Sequence, residues 1–163
     1  MADHAFPAAE MDRVGEEFDG RFGIYVEDLN SGATYGYCDN ERFPTASVCK
    51  VSVMMELFRQ AEAGWLSLDD RRCFEGDTLC RGGSQVLDTT NDVLELTLRE
   101  YCRLMIAVSD NTATDFLMGV LVETMGEGAV NSMLDDMGYT RTRTPATMGR
   151  YHYRMAGLGD DVP

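Results

Sequence analysis

Two short alternating runs lie close together near the start, and helical spacing governs the rest of the chain; that order limits the architectures open to it. Arg21 to Leu29 and Ala33 to Cys38 carry β-branched and aromatic residues on either side of the turn signal Asn30-Ser31-Gly32, the pattern of a β-hairpin. Before them, Ala8 to Phe18 reads as a helix that opens behind Pro7 and is stopped by Gly20. A two-stranded hairpin alone is only marginally stable, so it needs further strands or a helix across one face. No later strand is read from the sequence, and the stretch from Asp69 to Asp92 reads as turn-rich and irregular. The layout is therefore α+β, with a first indication that the chain is incomplete.

Four further segments have helical spacing. The longest runs from about Ser47 to Ala63, with Val48, Val51, Met54, Met55, Phe58 and Ala61 as its apolar stripe and Gly64 as its stop. The next starts at Thr97, which has capping-box spacing to Glu100 and an apolar face of Leu98, Leu104, Met105 and Val108. A third covers about Asn111 to Thr124, and a fourth about Ala129 to Met137, closed by Gly138. Tyr101, Trp65 and the methionines read as core, and Cys49 as a buried thiol.

With 163 residues, 44% of them apolar, the chain has enough material for one domain with a real core. Its net charge of −14 disfavours nucleic acid and anionic membrane surfaces as partners, since both require Lys and Arg. No segment has the length of a membrane-spanning helix, and the first residues lack the basic-then-apolar pattern of a signal peptide. The five cysteines are odd in number, so at least one thiol is unpaired within the chain, while Cys73 and Cys80 are spaced to pair across a short loop. No Cys-x-x-Cys occurs and His4 and His152 lie near opposite ends, so no structural metal and no cofactor is expected.

Chemistry enters with Ser47-Val48-Cys49-Lys50. On a helix, positions three apart share a face. A serine hydroxyl becomes a useful nucleophile once a base takes its proton, and a neutral lysine amine can be that base. Lys50 is the only lysine in the chain; of the 14 basic residues every other one is arginine, which does not deprotonate in proteins. A chance Ser-x-x-Lys in a lysine-poor chain is the bland alternative. Ser109-Asp110-Asn111 is a second constellation, between two helices. Its Ser suits a proton relay and its Asn amide suits a lysine or a substrate carbonyl, although all three types are also ordinary helix caps.

Together, Ser47-x-x-Lys50 and, 62 residues later, Ser109-Asp110-Asn111 resemble the motif set of class A β-lactamases and their penicillin-binding relatives. The surrounding text resembles them too: Phe43-Pro44-Thr45-Ala46 before the nucleophile, Leu96-Thr97-Leu98-Arg99-Glu100, Met105 to Thr114, and Met137-Gly138-Tyr139-Thr140-Arg141-Thr142. The resemblance runs from about Phe22 to about Thr142. It implies a class A β-lactamase-like, DD-peptidase-like α+β fold, with an N-terminal helix in 1–20, a strand hairpin in 21–38, a helical subdomain in 47–142 and an Ω-loop-like tail in 143–163 of one incomplete domain. It also implies roles: Ser47 acylated by a β-lactam or an acyl-peptide, Lys50 deprotonating it, Ser109 passing a proton to the departing nitrogen, Asn111 binding the substrate amide, and the Ser47 N–H forming half of the oxyanion hole. A secreted or envelope location goes with the family.

Two of the family's parts have no counterpart. A Lys-Thr-Gly strand near the C-terminus, which carries the second oxyanion N–H, is not found, because the chain stops at Pro163. The Ω-loop glutamate that activates the deacylating water is not found either: no glutamate follows Glu127. Asp160 and Asp161 read as turn residues and His152 as a lone histidine. Acylation is thus expected, with impaired turnover in this chain. The competing readings are a non-catalytic binding module built on the same half-fold, and a cell-wall peptidase- or esterase-like relative. Apolar surface left open by absent strands would favour homo-oligomers.

Overall fold

The computed structural model describes residues 6–74, 86–87 and 93–148, in two compact units, residues 1–44 and residues 45–163. In the first unit, α1 (Ala8–Glu17) has Pro7 at its N-cap and ends at Phe18, as the sequence indicates. Strands β1 (Ile24–Glu27) and β2 (Thr34–Tyr37) pair antiparallel, Ile24 opposite Tyr37 and Glu27 opposite Thr34. Their turn is built by Asp28: its N–H donates to the Ala33 carbonyl (2.9 Å) and its carboxylate accepts the Asn30 N–H (2.8 Å). That backbone bond holds the Asp28 carboxyl below its usual range. Gly32 takes φ +71°, a left-handed conformation open to glycine at little cost. The Tyr35 hydroxyl donates to Asp12 (2.8 Å) and so ties β2 to α1.

The second unit opens with a 3₁₀ turn, Ala46–Val48, leading into α2 (Cys49–Glu62). Next in order are β3 (Arg71–Phe74), β4 (Leu94–Thr97), α3 (Leu98–Ala107), α4 (Asn111–Met125) and α5 (Ala129–Asp136). α3 has the capping box its sequence promises: Thr97 Oγ1 accepts the Glu100 N–H (3.2 Å) and Glu100 accepts the Thr97 N–H (2.7 Å). Gly138, at φ +86°, closes α5, where the Tyr139 N–H reaches back to the Leu134 carbonyl (2.8 Å).

The structure corrects three expectations. First, there is a later strand pair: β3 and β4 run antiparallel with Arg71 opposite Thr97 and Phe74 opposite Leu94. β3 begins with two arginines, only Phe74 of it is buried, and no tight turn links it to β4. No hairpin signal was therefore on display, and the short alternation Leu94-Glu95-Leu96-Thr97 in β4 was masked by its merging into the capping box of α3. Apart from Val86 and Leu87, residues 75–92 lie outside the described residues, as do Cys80, His152, Asp160 and Asp161. Cys73 is an exposed free thiol.

Second, α2 packs only part of the stripe its apolar spacing suggests, Met54 and Met55, against the core. Val48 (70% exposed), Val51 and Phe58 face outward, while Val53 and Leu57 are buried beside Lys50, Ser52, Glu56 and Gln60. Among the described residues the inward polar groups are partnered, except the Gln60 side-chain oxygen, which is buried and accepts no hydrogen bond. The Glu56 carboxylate accepts from Arg59 Nε (2.6 Å), from Arg59 Nη2 (3.0 Å) and from the Gln60 amide. Burial of such groups is tolerable only with partners of this kind. Third, Trp65 (65% exposed), Met125 and Met137 are exposed rather than core.

The core joins Val53 and Leu57 of α2 to Leu98, Tyr101 and Met105 of α3, Leu117 and Leu121 of α4, and Met133 and Leu134 of α5. Tyr101 stacks on Phe116 with centroids 4.2 Å apart, and its hydroxyl donates to the Arg72 carbonyl of β3 (3.1 Å). Burial pushes that hydroxyl's pKa up to about 12.

Candidate active site

The site is assembled where the start of α2 meets the connection between α3 and α4. Ser47 sits in the 3₁₀ turn, not in the α-helix itself, and its side chain is exposed. The residue before it, Ala46, has φ +43°, and Ser109 has φ +58°. Non-glycine residues are strained there, and such strain persists only where the surroundings enforce it, often at functional sites. At Ser109 the surroundings are visible. α3 ends at Val108, the Asp110 N–H returns to the Leu104 carbonyl (3.2 Å), and Asp110 then caps α4 by accepting the Ala113 N–H (2.7 Å). The other Asp110 oxygen accepts the N–H groups of Val86 (2.8 Å) and Leu87 (3.2 Å). A fully buried carboxylate thus fixes the turn between the two helices.

Lys50 is 2% exposed and lies one helical turn after Ser47. Its ammonium donates to the Ser109 carbonyl (2.6 Å), to Ser109 Oγ (2.9 Å) and to Asn111 Oδ1 (2.7 Å). Ser109 Oγ donates in turn to Ser47 Oγ (2.9 Å). All four residues singled out from the sequence therefore meet in one hydrogen-bonded string, Ser47–Ser109–Lys50–Asn111. An exposed hydroxyl at one end and a buried amine at the other are joined by a hydroxyl able both to donate and to accept.

Sequence reading missed the residues that brace this turn from behind. Ser52 Oγ donates to the Cys49 carbonyl (2.6 Å) and pairs with Thr144 Oγ1 (2.7 Å). The Asn131 amide grips the Thr144 backbone twice, donating to its carbonyl (3.1 Å) and accepting its N–H (2.9 Å). Asp115 accepts the Met148 N–H (2.6 Å), and the Met148 sulfur lies 3.9 Å from Cys49 Sγ. Residues 144–148 are thereby held against the first turn of α2. Asn131, Thr144 and Asp115 belong to no spacing pattern, so only the fold reveals them; Asp115 lies one helical turn from Asn111, the nearest thing to a signal. Burial pushes the Cys49 thiol's pKa up, which leaves it an inert packing group.

Known proteins place this arrangement in context. Residues 7–158 match the family described as the beta-lactamase enzyme family. Beta-lactamase L2 of Stenotrophomonas maltophilia is 34% identical over 126 residues, which are 77% of this chain and 40% of that protein. The carbapenem-hydrolyzing beta-lactamase KPC of Klebsiella oxytoca is 29% identical over 139 residues, 80% of this chain and 43% of that protein. Among solved structures, an ancestral class A beta-lactamase superposes with a TM-score of 0.78 at 26% identity, over 88% of this chain and 54% of that one. The beta-lactamase from Sphaerobacter thermophilus gives 0.76 at 29% identity, over 88% and 52%. The chain thus spans about 40% of these curated relatives and about half of the solved chains.

Proposed function

We propose, from the premise that this chain belongs to the β-lactamase enzyme family, that it carries the acylating portion of a serine active site whose substrate is a β-lactam. The fold it shares with class A β-lactamases is the α+β arrangement that the sequence indicates. The observation that carries the reading is the unbroken string from Ser47 Oγ through Ser109 Oγ (2.9 Å) to Lys50 Nζ (2.9 Å).

Run in reverse, the string deprotonates Ser47. With Lys50 in its neutral form, the Ser47 proton passes to Ser109 Oγ as the Ser109 proton passes to the lysine amine. Ser47 Oγ then bonds to the lactam carbonyl carbon. As the carbon–nitrogen bond breaks, the proton held on Lys50 returns through Ser109 to the departing nitrogen, leaving an ester on Ser47 and a neutral amine. Asn111, fixed by Lys50, holds the substrate's amide, and the Ser47 N–H contributes half of an oxyanion hole. A positioned base of this kind contributes about 10² to 10⁴ in rate.

Hydrolysis of that ester needs a base to activate water, and no glutamate follows Glu127. The only lysine is already used by the string, so no Lys-Thr-Gly motif exists within these residues. One missing oxyanion donor typically costs about 10² to 10³ in kcat. The proposal is therefore slow acylation and a long-lived ester in this chain, with both units belonging to one β-lactamase-like domain. The outward apolar side chains of Val48, Val51 and Phe58 support self-association of the isolated chain, which size-exclusion chromatography checks.

Intact-mass spectrometry after incubation with a penicillin tests the reading. The expected result is one penicilloyl mass on the wild-type chain that persists for hours and is absent from Ser47→Ala. An unmodified wild-type chain, or an adduct that survives in Ser47→Ala, would refute it.

A further inference from the structure

An open groove of about 360 Å³ lies between α2 and α3 in the second unit. Met54 and Phe58 line it from α2, and Cys102, Ile106 and Ala107 from α3. That volume is within the usual range for small-molecule sites. None of the four residues of the serine string lines it. Cys102 is buried at its floor, while Phe58 and Ile106 are exposed, so apolar surface stays open where two core helices meet.

Arg99 and Arg103 line the same groove, four positions apart on α3 and therefore on one face. Helix physics alone does not favour them there. Like charges at this spacing repel, and Arg99 stands in the first turn of α3, at the positive end of its dipole. Their compensation is small. Arg99 Nε donates to Asp69 (3.1 Å) in an exposed ion pair, a contact that contributes little. Arg103 meets Glu100 as a charge, without a hydrogen bond between them among the described residues. Two cations kept against local preference beside an open apolar wall mark a binding surface rather than a device for stability.

We propose that this groove binds a carboxylate carried on an aryl or alkyl body. The apolar body covers Phe58 and Ile106, and the carboxylate accepts from the guanidinium groups of Arg99 and Arg103, whose planar forks match its two oxygens. A neutral apolar molecule would leave the repulsion between the two guanidinium groups unrelieved, and a cation would add to it.

The experiment titrates the isotopically labelled 163-residue chain with 4-phenylbutyrate and, separately, with 4-phenylbutan-1-ol, following backbone amide shifts by NMR. The acid is expected to give saturable shifts centred on Phe58, Arg103 and Ile106. The alcohol is expected to bind at least about tenfold more weakly, as the loss of one charge-assisted hydrogen bond implies. Arg103→Gln should weaken the acid about tenfold and leave the alcohol nearly unchanged. Ala107 lines the groove at an exposed position, so Ala107→Trp should fill it and abolish binding of both, while Ala107→Ser should retain it. Equal affinity for acid and alcohol would overturn the carboxylate assignment. Acid binding that survives Ala107→Trp would place the anion at another arginine, and the absence of saturable shifts would remove the site. Shifts at Arg103 and Ile106 on dilution of the ligand-free chain would give the groove to a second copy and overturn the proposal.

Discussion

α2 and α3 are neighbours in the same core, yet they bury opposite kinds of residue. α3 turns Leu98, Tyr101, Cys102 and Met105 inward, an apolar face with a capping box at its start. α2 turns Lys50, Ser52, Glu56 and Gln60 inward alongside Val53 and Leu57, and leaves Val51 and Phe58 outside. α3 is held by burial of apolar area, worth about 25 cal/mol per Å². α2 must instead find partners for its inward polar groups, which come from three directions: Ser109 and Asn111 for Lys50, Thr144 for Ser52, and Arg59 with Gln60 for Glu56, with the Gln60 side-chain oxygen left unpartnered among the described residues. The buried polar face of α2 thus organises the serine site, while α3 serves as the scaffold against which it is set.

Substitutions on the two helices put that contrast at risk. The largest effect is expected on the chemistry: Lys50→Met should slow penicillin adduct formation about 10²- to 10⁴-fold, read from the time course of the modified mass. Next come the two sides of α2. Leu57→Ala, at a fully buried position, should lower unfolding free energy by about 2–5 kcal/mol, whereas Phe58→Ala, one residue on and 48% exposed, should change it by no more than about 0.5 kcal/mol. Urea denaturation of both variants measures this, and equal costs would mean the outward stripe is packed in solution. A smaller loss is expected at the start of α3, where Thr97→Ala removes the cap and should cost about 1 kcal/mol.

The subtlest effect is a pH dependence. The Thr97 backbone N–H, then its hydroxyl, hold the Glu100 carboxyl below its ordinary 4.5. Its folded pKa is thus lower than its unfolded one, so its contribution is fully present above 4.5 and fades as the pH falls through the folded value. The gap in denaturation midpoint between wild type and Glu100→Gln should therefore narrow on acidification. A gap that widens would contradict the cap's electrostatic role.

How much of this was legible in the sequence depended on whether a local rule applied. Thr97 with Glu100, Gly138 after α5, and Asn30-Ser31-Gly32 between β1 and β2 each follow a short-range rule, and each stands where that rule puts it. The stripe on α2 misled because apolar spacing reports burial only when polar residues stay outside, and Glu56 and Gln60 do not. β3 was hidden because its partner lies about twenty residues away and its first two residues are charged. The four residues of the serine string were legible as types and spacing, but their order in space was not: that Ser109 bridges Ser47 and Lys50 depends on a left-handed backbone at Ser109, which no spacing rule supplies.

Ser47 as the nucleophile is tested most directly by locating the penicilloyl group through peptide mapping after digestion of the modified chain. The added mass is expected on Ser47, within the peptide that holds the 3₁₀ turn and the start of α2, and should be lost when Ser47 is alanine. Modification of an exposed cysteine such as Cys38 or Cys73 instead, or no modification at any residue, would contradict that role.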